Sequence, residues 1–141
     1  MKYKIWLNGT LVERDKAKIS ILSPSFNYGA NVFEGIRAYW NNEKKTLNIF
    51  RLNDHLDRLI ESADSFGFKN IYSKSKLKEA ILQTIQENKI KQDISIRQTI
   101  YADGSGNWSS SGPTGMFVSI INKERSLYKK SHLNCLVSNW E

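Results

Sequence analysis

The chain has 141 residues, enough for one domain that buries roughly two thirds of the surface its unfolded form exposes, so neither a metal nor a disulfide is needed for stability. Hydrophobic residues make up 40% and charged residues 25%, an ordinary globular composition; no apolar run approaches a membrane span and Met1 to Leu7 lacks a signal-peptide core, which argues against a membrane partner and leaves the cytoplasm as the default location. The net charge of +7 is spread over Lys2 to Lys18, Lys69 to Lys91 and Lys123 to Lys130, interleaved with Glu13, Asp15, Glu79, Glu87 and Glu124, so a solvated lysine-rich surface is favoured over a nucleic-acid footprint.

Tyr3, Ile5 and Leu7 alternate on one side of an opening strand. Asn8-Gly9 then supplies a two-residue hairpin turn, and Thr10 to Val12 returns. Lys18 to Ile21 reads as a short strand ended by Ser23-Pro24-Ser25, since proline lacks a backbone donor and disfavours helical angles at Ser23. A turn at Tyr28-Gly29-Ala30 leads into an extended run that places Phe33, Arg37 and Tyr39 on one face, with Gly35 between them. A ring, a fixed cation and a phenol suit a small anionic molecule with an apolar part, because a guanidinium matches carboxylate and phosphate oxygens with a rigid fork of donors. Gly35 leaves a gap where such a ligand can approach the backbone. The same pattern also fits an edge strand whose polar face simply meets water.

Asn41 to Lys45 forms a polar turn, and Thr46 to Phe50 reads as the partner strand. Asn53 is placed to cap a helix in which Leu52, Leu56, Leu59, Ile60, Ala63 and Phe66 recur at helical spacing and which Gly67 ends. Arg58 lies beside that apolar stripe, so it either reaches toward the sheet or faces solvent. His55 has no Cys, Asp or Glu partner at nucleophile or metal-ligand spacing, and a packing or capping role is favoured. Neither Glu34 nor Asp93 needs a catalytic role. Ser75 caps a second amphipathic helix through about Asn88, burying Leu77, Ala80, Ile81 and Ile85.

From Ile94 to Tyr101 the period returns to two, with Ile94, Ile96, Gln98 and Ile100 on one face and Ser95, Arg97, Thr99 and Tyr101 on the other. Asp103 to Gly115 is a Gly- and Ser-rich loop without the Lys-Ser or Lys-Thr ending of a phosphate-binding loop, and with its exposed Trp108 it suits a lid or a partner contact. Met116 to Ile121 reads as an inner strand and Leu133 to Val137 as a last one. Cys135 has no His or second Cys near it at metal-ligand spacing, and is expected to be a buried small hydrophobe. The expected fold is α+β: an antiparallel or mixed sheet of about six strands with two amphipathic helices on one face.

The run Tyr28 to Tyr39, YGANVFEGIRAY, closely resembles the YG..VFEGIRAY signature of branched-chain amino-acid aminotransferases, class IV, fold-type IV enzymes that use pyridoxal phosphate. D-amino-acid transaminases and aminodeoxychorismate lyases carry a looser version, so VFEGIR favours the branched-chain branch. Ile49 to Leu59 matches the family's IFRL..H..RL segment, and the match carries the cofactor-phosphate role to Arg58 and not to Arg51. The resemblance further implies that Tyr28, Phe33 and Arg97 line the substrate pocket, and that Arg37 orients Tyr28 or a neighbouring pocket residue. Ser95 stands where some members carry a tyrosine. The implied parent reaction is amino transfer between a branched-chain amino acid and 2-oxoglutarate, in a homodimer whose Gly-rich loop packs near the neighbouring subunit's active site. The family's cofactor-linked lysine belongs to a second domain. Residues 1–141 therefore match only the N-terminal small domain, hold no catalytic residue and no metal site, and are expected not to transaminate alone. The alternatives are a stand-alone binding or assembly module and another fold-type IV enzyme.

Overall fold

Asn8 and Gly9 both take positive φ, 47° and 101°, which is what the tightest hairpin turn requires, and they join β1 (Ile5–Leu7) to β2 (Thr10–Val12). The structure is a computed structural model and describes residues 3–69, 71–125 and 135–137. Four longer strands follow: β3 (Asn31–Asn41), β4 (Thr46–Ile49), β5 (Ile94–Ala102) and β6 (Thr114–Asn122). Together the six form one sheet in the order β2-β1-β6-β5-β3-β4, with every pair antiparallel. β5 and β6 are inner strands, as the apolar run from Met116 predicts. β4 pairs only with Ala38 to Asn41, so the first half of β3 keeps an open edge.

Among the described residues, three α-helices, α1 (Pro24–Tyr28), α2 (Leu52–Phe66) and α3 (Lys74–Glu87), and a one-turn 3-10 helix at Arg14–Lys16 complete the fold. α2 packs on β3, and α3 on β1 and β6. Leu56, Leu59 and Ala63 of α2 and Leu77, Ala80 and Ile81 of α3 are fully buried against Ile36, Ile96, Ile100, Met116 and Val118. Each such Leu or Ile contributes about 1.5 to 3 kcal/mol of transfer free energy. Trp6 also lies on this face, and its indole Nε1 donates to Gln83 Oε1 at 3.0 Å. Among the described residues no α-helix packs on the opposite face of the sheet, which displays Phe33 and Ile121, 53% and 59% exposed.

The expected sheet and its two helices are present, with differences in detail. α1 is an additional short helix. Ser23 does stay extended (ψ 145°), but as a cap whose side chain accepts from Phe26 N, with Pro24 at the first helical position, where its missing donor costs nothing, and Gly29 closing the helix at φ 69°. Lys18 to Ile21 is not a strand: the sheet edges are β2 and β4 and this segment pairs with neither, leaving Ile21 69% exposed. Ser73, not Ser75, caps α3, accepting from Lys76 N. α2 starts at Leu52 behind Arg51 in left-handed conformation, with no side-chain cap, rather than behind Asn53. Gly67 ends α2 at φ 83°, as expected. The first two residues of the last expected strand, Leu133 and Asn134, lie outside the described residues. Cys135 is exposed, not buried, because residues 135–137 form no strand and do not pack on the sheet.

Candidate functional site

Alternation along β3 and β5 creates two clusters on opposite faces. On the face opposite α2 and α3, Arg97 is paired in register with Gly35, and Phe33 with Thr99. The Arg97 guanidinium leans diagonally over the Phe33 ring, its Cζ 3.8 Å from the ring centre, a cation–π stack that holds an otherwise flexible side chain flat. A Cβ added at Gly35 would meet nothing within 4 Å. The floor beside the stack is therefore open, and Phe33, Gly35, Ser95, Arg97, Ser119 and Ile121 surround a concavity of about 330 Å³. Apolar walls and one cation are the arrangement expected of a small-molecule subsite.

The second cluster lies between β3 and α2. Glu34 falls on the helix-covered face of β3 and is only 5% exposed. A buried carboxylate needs partners, and α2 provides two, one turn apart. Arg58 donates from Nε to Oε1 at 2.5 Å and from Nη2 to Oε2 at 2.6 Å, and His55 Nδ1 lies 2.8 Å from Oε2. An ionised carboxylate only accepts, so Nδ1 carries the proton. Burial pushes the Glu34 carboxyl up, but the hydrogen bonds from Arg58 and His55 outweigh it and leave the group below the usual carboxylate range. The Arg58 side chain is nonetheless 64% exposed, beside a hollow lined by Phe50, Arg51, Asp54, His55 and Arg58. Arg51, at the same hollow, donates from Nε to Asp54 Oδ2 at 2.6 Å.

The remaining candidates lie apart from these clusters. Tyr28, the last residue of α1, is 54% exposed, and its helix is anchored by Ser25 Oγ donating to the Ala102 carbonyl at 2.7 Å. Arg37 donates to the Lys123 and Glu124 carbonyls at 2.6 and 3.2 Å, so the group it holds is the chain leaving β6. Arg37 and Arg125 both approach the Tyr39 ring, at 5.4 and 5.1 Å. Asp93 binds Arg125 at 2.6 Å and the Trp40 backbone N–H at 2.7 Å, and the Arg125 bond leads in holding its carboxyl below the ordinary value despite burial.

Sequence pattern offers His55 no carboxylate partner and Glu34 no catalytic role, whereas in the structure the two are bonded to each other and Glu34 to Arg58. The signal was present: Val32, Glu34, Ile36 and Ala38 alternate onto the apolar face, and His55 and Arg58 are three residues apart on a helix. Among the described residues, no helix is long and apolar enough to cross a membrane.

The family model for Amino-transferase class IV matches residues 31–141. A probable branched-chain-amino-acid aminotransferase of Rickettsia conorii is 35% identical over 140 residues, covering 98% of this chain and 46% of that protein. The branched-chain aminotransferase of Thermoproteus uzoniensis, solved with norvaline, superposes with a TM-score of 0.83 at 38% identity, over 91% of this chain and 43% of that one. The Thermobaculum terrenum branched-chain amino acid aminotransferase in its PLP form gives a TM-score of 0.80 at 27% identity, over 91% and 42%. The chain thus spans less than half the length of these relatives. Motif, family model and superposition agree, and the chain belongs to the class IV aminotransferases.

Proposed function

We propose that this chain is the N-terminal small domain of a pyridoxal-phosphate-dependent branched-chain amino-acid aminotransferase, which moves an amino group between leucine, isoleucine or valine and 2-oxoglutarate. The observation that carries the reading is the Arg97–Phe33 stack beside the open floor at Gly35. Two substrates with unlike side chains must share one pocket. Phe33 and Ile121 offer an apolar surface to the branched chain, and Arg97 offers donors to the distal carboxylate of the acidic partner.

The donor set of Arg58 fits the cofactor's phosphate. A guanidinium has five N–H donors; Glu34 takes two, so three are left toward the exposed side. Arg58 in this reading binds the phosphate, Tyr28 adds a ring to the substrate pocket, and Arg37 steadies the β6 exit next to it. When bound, pyridoxal phosphate supplies the electron sink for amino transfer. The lysine that links to it belongs, on this reading, to a second domain, and the complete protein is a cytoplasmic homodimer.

The test is amino transfer by the full-length protein from L-leucine, L-isoleucine and L-valine to 2-oxoglutarate. Formation of L-glutamate with all three supports the reading. Turnover confined to D-amino acids, or none with the cofactor bound, contradicts it.

A further inference from the structure

We infer that Glu34 and His55 are positioning residues that hold the Arg58 guanidinium in the orientation in which it grips the phosphate of the cofactor, an inference that rests on the Arg58 assignment above.

Arg58 sits on α2 with most of its side chain in solvent, and an exposed arginine ordinarily samples many rotamers. Here it does not have that freedom. Both Nε and Nη2 are bonded to Glu34, one to each carboxylate oxygen, and this bidentate geometry fixes both the plane and the roll of the guanidinium. The edge turned away from Glu34, formed by Nη1 and the second Nη2 hydrogen, is thereby the edge presented outward. Glu34 is itself fixed by β3 and by burial. His55 bonds Oε2, the same oxygen that receives Nη2, and so sets the carboxylate plane that in turn sets the arginine. Arg58 Nη2 also comes within 3.3 Å of His55 Nδ1. With both nitrogens carrying protons toward Glu34, this approach is a consequence of sharing one acceptor and not a further bond.

The arrangement also sets the chemistry of the site. Glu34 neutralises the charge of Arg58 locally, so what the site offers an anion is a set of oriented N–H donors more than a bare positive charge. Preorganised donors bind without the ordering cost a mobile side chain carries. A group with tetrahedral oxygens and a fixed distance to an aromatic ring uses that precision, and a diffuse counter-ion does not.

A purely structural role, in which Glu34 only fastens α2 to β3, makes a different prediction. The discriminating probes are pyridoxal phosphate and pyridoxal, which differ in the phosphate alone, titrated into the full-length apoenzyme by absorbance. Arg58→Ala is expected to weaken pyridoxal phosphate about tenfold or more, the loss expected of a hydrogen bond to a charged group, with pyridoxal unchanged. Glu34→Gln is expected to give the same phosphate-selective loss, and the double variant no further loss. His55→Gln is expected to give a smaller selective loss of about threefold, and decides the matter should Glu34→Gln fail to fold by circular dichroism. If Arg58→Ala leaves the ratio of the two affinities unchanged, the Arg58 assignment itself is wrong. If Arg58→Ala changes that ratio while the folded Glu34→Gln protein keeps it, or if His55→Gln keeps it, the positioning role is overturned and the assignment stands. Losses that add in the double variant also overturn it.

Discussion

Arg58 and Glu34 form a two-point bond across the α2–β3 interface, Nε to Oε1 at 2.5 Å and Nη2 to Oε2 at 2.6 Å, with the carboxylate buried and the arginine in solvent. A charge placed on the inner face of a sheet is costly alone. It is retained here in a form that ties an exposed donor group to a sheet strand paired on both sides over part of its length.

That bond makes stability depend on acid. The folded Glu34 carboxyl lies below its unfolded value: burial raises it, and the bonds from Arg58 and His55 lower it by more. The folded state therefore binds the proton less readily, and the stabilisation is fully present above the unfolded value near pH 4.3, then lost as the pH falls through the folded one. Urea denaturation of the full-length protein from pH 7 to pH 3 is expected to show stability falling below about pH 4.5, with a shallower fall in Glu34→Gln. Parallel curves for the two proteins would contradict this.

Gly115 is a position the fold needs. A Cβ there would lie 2.3 Å from Cζ of Tyr101, whose ring is buried and whose hydroxyl is held by Asn8 Nδ2 at 3.1 Å. The ring cannot withdraw without breaking that bond. Gly115→Ala is expected to destabilise the protein by roughly 1 to 3 kcal/mol, the range for overpacking, read as a lower urea midpoint at unchanged slope.

Gly35 behaves oppositely. Nothing lies within 4 Å of its built Cβ and the residue sits in regular strand, so Gly35→Ala is expected to change stability by less than about 0.5 kcal/mol. The added methyl enters the floor between Phe33 and Arg97, however. The KM for L-isoleucine and L-valine is expected to rise while the urea midpoint stays put, and an unchanged KM would remove Gly35 from the pocket.

Arg97 separates the two substrate classes. Arg97→Met keeps the bulk over Phe33 and removes the donors, so the KM for 2-oxoglutarate is expected to rise about tenfold or more, with a smaller change for L-leucine. An equal loss for both would mean that the side chain acts through packing and not through the distal carboxylate.

Much of this fold can be read from local pattern. The Asn8-Gly9 turn, the Gly67 cap and the two faces of β5 follow from residue conformational preference and from a period of two, and both are properties of a few adjacent residues. Where local pattern was ambiguous the reading failed. Ser23-Pro24 reads as a breaker, although Ser, Pro and a Gly five residues after the Pro are also the marks of a short capped helix. Lys18 to Ile21 has the alternation of a strand, but a strand needs a neighbour, and no local rule provides one. The Glu34 cluster was missed for a related reason: its partners lie 21 and 24 residues away, and only the topology brings α2 back over β3. The family motif reached Arg58 without that information, but not the residues that hold it.

The most direct measurement is a crystal structure of the full-length protein with its cofactor and a branched-chain substrate analogue. The account predicts a phosphate oxygen accepting from the outer edge of Arg58, with Glu34 still bound to the inner edge, and the analogue's side chain lying against Phe33 above Gly35. A phosphate held away from Arg58, or an analogue seated elsewhere than the Phe33–Arg97 concavity, would contradict it.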